Sequence, residues 1–120
     1  MFGKTTIIAK AANAESIVQE KTLLVFGANE NNVKPAAGGT ALILGIAEFT
    51  TARTGDQITI LVEGIGEVVL GGPVGITDPI TADADAKGVK AAATNYIIGY
   101  AMKAGVKDDI IPVMISRAKI

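Results

Sequence analysis

Few residues in this chain have the type and spacing to do chemistry. Asp83, Asp85, Lys87 and Gly88 follow the opening of an EF-hand loop, whose first, third and fifth positions carry oxygen ligands and whose sixth is glycine. Here the third ligand position is the cation Lys87, and the twelfth is Thr94 where a bidentate Glu belongs. A solvated hairpin is the economical reading, and no metal is expected. Glu48, Glu63 and Glu67 are the carboxylates to consider for glycoside work. A sugar platform is missing, since the chain has no Trp and places Tyr96 and Tyr100 in an apolar stretch. Ser16 and Ser116 have no His partner and no Gly-x-Ser-x-Gly elbow. Gly64-Ile65-Gly66 lacks the third glycine of a dinucleotide loop and precedes a strand-like run.

Two lysines invite a carrier reading. Lys87 near a hairpin tip, and Lys103 in Ala101-Met102-Lys103, occupy settings like those of lipoyl and biotin acceptors. Met102, however, continues the alternation of Tyr96, Ile98 and Tyr100, and Lys103-Ala104 lacks the second apolar residue of the biotin pattern. Composition narrows the field further. The 120 residues contain no Cys and no His, which excludes thiol catalysis, disulfides, Cys/His metal sites and imidazole acid–base chemistry. Lys+Arg 11 against Asp+Glu 12, with no basic block, argues against a grip on nucleic acid. No catalytic residue and no cofactor is expected.

The elements that must carry these side chains are strands. Ile 16 and Val 10 against Leu 6, with Thr 11, favour a pleated surface over helices. Met1 to about Ala14 is small-residue-rich, carries Lys4 and Lys10, and has no sustained period, which predicts an extended arm ahead of a single β domain over 15–120. Ala11 to Glu20 has some helix propensity, but Ile17-Val18 and Leu23 to Phe26 favour a strand. Gly27 to Asn32 is a turn, and Leu42 to Ala47 has strand length. Ile58, Ile60 and Val62 alternate with Thr59 and Leu61. Gly71-Gly72-Pro73 is strong punctuation, and Asp83 to Gly88 is the tip of a hairpin. Tyr96 to Met102 and Ile110 to Ile115 are the last strands, with Pro112 expected at a sheet edge or bulge because it lacks an N–H. Short strands at this spacing predict a mainly β fold, a small antiparallel barrel or sandwich.

One internal echo stands out. Gly45-Ile46-Ala47 followed by Asp56, Ile58, Ile60 and Val62 recurs as Gly99-Tyr100-Ala101 followed by Asp109, Ile111, Val113 and Ile115. Both copies predict an antiparallel hairpin. No signal peptide and no membrane span is expected. Only Ile7-Ile8 stand together before Lys10, too few for a signal-peptide core, and the longest uncharged stretch, Pro35 to Ala47, is short of a span. A soluble protein made in the cytoplasm, with no membrane partner, is expected.

A longer series of features points to a family. It comprises Leu24-Val25-Phe26-Gly27, Val33-Lys34-Pro35-Ala36, Leu44-Gly45-Ile46-Ala47, and Gly55-Asp56 with Ile58 and Ile60. Glu63-Gly64-Ile65 and Val68 before Gly71-Gly72 come next, then Asp78 to Ala84 leading to Val89-Lys90-Ala91-Ala92. Ile98-Gly99-Tyr100-Ala101 and Asp109 to Val113 close it. From about Ile17 to Ile115 this order resembles the small capsid cement, or head decoration, proteins of tailed bacteriophages. Two departures concern turns: a Gly is usual where Thr77 stands, and the hairpin Gly is shifted to Gly88, after Lys87. The first fifteen residues match no part of the pattern firmly.

The resemblance implies a virion structural protein without enzyme activity. It implies binding to the outer surface of the expanded head, contact with the major capsid protein, and a homotrimer at three-fold or quasi-three-fold positions, assembled in the host cytoplasm. The arm residues Lys4, Thr5, Thr6, Ile7 and Ile8 are the expected capsid contact, because Thr5 to Ile8 has the β propensity to pair along a strand edge. The alternatives are a lysine-modified or ligand-binding β-barrel carrier and a phage tail component.

Overall fold

A computed structural model describes residues 5–6, 9–29, 31–48, 50 and 53–120, with 5–6 and 9–12 as backbone. The described residues form strands and no helix. In chain order these are β1 (Thr5–Thr6), β2 (Ala9–Ala14), β3 (Leu23–Phe26), β4 (Asn32–Pro35), β5 (Ile43–Ala47), β6 (Gln57–Leu61), β7 (Gly64–Val69), β8 (Pro79–Ala82), β9 (Gly88–Lys90), β10 (Tyr96–Ala101) and β11 (Ile110–Lys119). The order β2-β4-β3-β5-β6 closes into a barrel, and β1-β7-β11-β10-β8-β9 forms a six-stranded sheet beside it. The mainly β expectation holds in both its forms, a barrel and a second packed sheet.

Apolar residues on both faces of the barrel strands produce this layering. Ala14, Leu24, Val33, Ala47, Ile58 and Ile60 fill the barrel. Their strand neighbours Leu23, Val25, Ile46 and Leu61 point the other way and meet Val68, Ile80, Ile98, Ile111 and Val113 of the sheet. A strand covered on both sides reads as a continuous apolar run, which is why Leu23-Leu24-Val25 shows no alternation.

The two hairpins of the internal echo match residue for residue. Ile46 faces Leu61 and Ala47 faces Ile60 in β5–β6; Tyr100 faces Met114 and Ala101 faces Val113 in β10–β11. A Cβ on Gly45 would lie 2.4 Å from the Leu61 carbonyl oxygen, and one on Gly99 would lie 1.9 Å from that of Met114. Each copy therefore needs glycine for the same reason, a close approach of the returning backbone.

Strand starts share a second device. Asp56, Asp78 and Asp109 accept the N–H of Arg53, Gly75 and Val106 through a carboxylate oxygen, at 3.0, 2.7 and 2.9 Å, and Asn95 accepts that of Ala92 through its amide oxygen at 2.9 Å. In each turn the fourth residue returns its own N–H to the first residue's carbonyl. The third residue has positive φ: Gly55 at 92°, Thr77 at 70°, Thr94 at 73° and Asp108 at 72°. That is the third-position geometry of a type II turn. The turns launch β6, β8, β10 and β11.

Several elements differ from expectation. Glu15 to Thr22 contains bends and a turn, not a strand, whereas β4 is a strand that no periodicity announced. β11 continues past Ile115 to Lys119 through a bulge where Ser116 and Arg117 together face Ile98. Pro112 lies in β11, an interior strand, and not at an edge or bulge. Its carbonyl accepts the Met102 N–H at 2.9 Å, so its nitrogen faces the same side, where β10 has just ended at Ala101. The missing N–H therefore falls where the ladder stops.

Candidate functional site

Two of the groups that suggested chemistry, Asp83 and Lys87, are engaged in holding loops. Asp83 Oδ1 accepts the N–H groups of Asp85 and Lys87 at 2.8 and 3.0 Å, closing the loop between β8 and β9. Lys87 Nζ lies 3.1 Å from Asp108 Oδ1, which ties that loop to the turn before β11. Among the described residues no cluster of acidic side chains is arranged to hold a metal ion. Lys103 stands exposed in the bend after β10. Glu48 and Glu67 line one small cleft with Lys21, while Glu63 lines another with Ile65, Met114 and Arg117, so the three carboxylates do not converge. Ser16 sits in the bend after β2 and Ser116 in the β11 bulge. Gly64 has φ 101° and opens β7, and no helix follows the Gly64-Ile65-Gly66 stretch.

What remains is surface. Of the expected arm contacts, Thr5 faces Ile65 and Thr6 faces Gly64, which sets β1 on the outer edge of the sheet. Lys4, Ile7 and Ile8 lie outside the described residues. Residues 9–14 run on as β2, antiparallel to β6 and parallel to β4, and so complete the barrel.

The sheet that carries β1 has one covered and one open face. Gly66, Val68, Ile111, Val113 and Ala101 face the barrel; a Cβ on Gly66 would meet Leu61 and Ile46 side chains. The alternate residues face away. In register they form the rows Ile65–Met114–Tyr100–Pro79, Glu67–Pro112 and Val69–Ile110, and Met102 lies beside Pro112. Met114 is 48% exposed and Ile110 49%. Glu67 is the one charged side chain in these rows.

Sequence reasoning missed this face. Its signal is Ile110, Pro112 and Met114 interleaved with Ile111, Val113 and Ile115, apolar on both parities. That pattern announces a strand covered on both sides, and here one side is bare.

No helix of the structure is long and apolar enough to cross a membrane. The arrangement has the character of a packing module, built to present surfaces. The comparisons agree in kind. A family model described as phage cement protein matches residues 3–115. Curated proteins give no match. Among solved structures, the head fiber gp8.5 N base of bacteriophage phi29 is similar in fold, with a TM-score of 0.74 at 20% identity, covering 94% of this chain and 97% of that one.

Proposed function

The chain belongs to the phage cement protein family, and from that premise we propose that it binds the outer surface of the expanded head and clamps neighbouring major capsid subunits together. It is a capsid decoration protein, a structural component of the virion. The observation that carries this reading is the family match over nearly the whole chain, on a fold whose charged groups serve its own loops. A protein that binds only the assembled lattice stabilises that lattice by mass action, in proportion to its affinity for it. No catalytic step, nucleic-acid contact or membrane contact belongs to this function.

The finer reading has three parts. The protein acts as a homotrimer, it is assembled onto heads in the host cytoplasm, and its N-terminal residues, Lys4 to Ile8 among them, pair with a capsid strand. Three such segments on one trimer raise avidity without strengthening any single contact.

Cosedimentation with expanded heads, against tails from the same phage, tests the function. Binding to heads alone is the expected result, and binding to tails alone would assign the protein to the tail. Deleting residues 1–8 is expected to leave a folded protein that no longer pellets with expanded heads. Full binding by the shortened chain would remove the N-terminal contact and leave decoration itself standing. Intact-mass measurement tests the carrier alternative, because lipoylation or biotinylation at Lys87 or Lys103 adds a fixed increment; the unmodified mass is expected.

A further inference from the structure

Resting on the decoration reading above, we propose that the open face of the six-stranded sheet, centred on Met114, is the surface that seats against the major capsid protein. The internal echo supplies the first argument. The β5–β6 and β10–β11 hairpins share one register, so Ile46 and Leu61 correspond to Tyr100 and Met114. The first pair is 2% and 1% exposed because the second sheet covers it, while Met114 is 48% exposed among the described residues. One hairpin has its cover within the chain. The other presents the equivalent face uncovered.

Size and neighbourhood identify the occupant. Four strands about 4.8 Å apart and three rows about 6.8 Å apart give a footprint of roughly 200–400 Å². A stable interface between two free proteins buries about 800 Å² on each side. The face alone is therefore too small to hold a second free copy of the chain, and suits a partner met through more than one contact. That second contact is adjacent: Thr5 of β1 faces Ile65, so the row Thr5–Ile65–Met114–Tyr100–Pro79 runs from the N-terminal strand across the face. Two neighbouring contacts on one chain reinforce each other through effective concentration. With Glu67 as the one charged side chain of its rows and Glu63, Arg117, Lys21 and Lys87 at its margins, the face calls for an apolar patch with a polar rim on the capsid protein.

The test is cosedimentation with expanded shells of the cognate phage prepared without this protein, using the full chain. Met114→Glu is expected to bind about tenfold or more weakly, since it places an unpaired charge in an apolar contact. Ile110→Glu should act in the same direction, and Met114→Leu should bind like the unaltered protein. Ile17→Glu, beside Pro35 and Ala84 and 55% exposed, should also leave binding intact. Melting temperature and sedimentation coefficient report fold and oligomeric state, which are expected to stay unchanged in all four variants. Unchanged shell binding by folded Met114→Glu and Ile110→Glu would overturn the proposal. So would loss of binding accompanied by a change of oligomeric state, which would make the face a contact between copies of this chain. Failure of the unaltered protein to bind shells would instead overturn the decoration reading, and is a separate result.

Discussion

At the scale of single residues, one carboxylate or amide oxygen closes each of four strand-launching turns. Asp56, Asp78, Asn95 and Asp109 perform the same task, accepting the N–H three residues back while their own N–H closes the turn. Removing the acceptor from one such turn costs about 1 kcal/mol, or roughly 4 °C in melting temperature for a chain of this size. Asp109→Ala should show that loss by thermal unfolding, whereas Asp109→Asn should be nearly neutral, because Asn95 already does this work with an amide oxygen. Thr77 makes the opposite prediction. A β-branched residue at φ 70° is strained, and glycine adopts that conformation freely. Relief of about 1–2 kcal/mol of left-handed strain exceeds the added unfolded-chain freedom of roughly 0.5–1 kcal/mol. Thr77→Gly is therefore expected to raise the melting temperature by about 2–4 °C.

At the scale of elements, glycine fixes the two echo hairpins. Gly99→Ala would drive a Cβ into the Met114 carbonyl, where backbone must move, and about 3 kcal/mol of destabilisation is expected in denaturant unfolding. Gly45→Ala should cost a similar amount at the Leu61 carbonyl. The hairpins were legible in sequence because their apolar alternation is set by burial on at least one side. β4 was not, since Asn32-Val33-Lys34-Pro35 offers one core residue, Val33, and a strand so short has no visible period. The far end of β11 was hidden for a related reason. Ser116 to Lys119 is exposed and held by backbone pairing with β10, which leaves no apolar trace. Of the candidate site, the absence of His and Cys directed attention to surfaces from the start. Which surface is open depends on β6 and β11 having the same two-sided pattern but different neighbours, and that is a property of tertiary arrangement.

At the scale of the whole molecule, the barrel and the sheet are joined by a broad apolar layer and by polar fastenings, among them the backbone bonds from Leu23 N–H to the Ala86 carbonyl and from Val69 N–H to the Lys21 carbonyl, and one arginine. Arg117, past the β11 bulge, donates from Nη1 to the carbonyl oxygens of Leu44, at 3.1 Å, and Val62. Those carbonyls belong to the barrel side, at β5 and just after β6. Replacing Arg117 with Ala leaves both without this donor, and a loss of about 1–2 kcal/mol is expected in thermal or denaturant unfolding. Arg117→Lys should recover only part of it, because the lysine nitrogen sits one bond nearer the backbone than Nη1 and falls short of its position between the two carbonyls. Capsid binding by the folded Ala variant is expected to persist, since both acceptors of the guanidinium belong to the barrel side.

The first strands of the chain have partners made much later. β2 lies between β4 and β6, and β1 is laid against β7, about half the chain further on. On a ribosome, then, β1 waits unmated until the stretch near Ile65 has emerged, and the barrel is sealed from behind by a segment made before its partners.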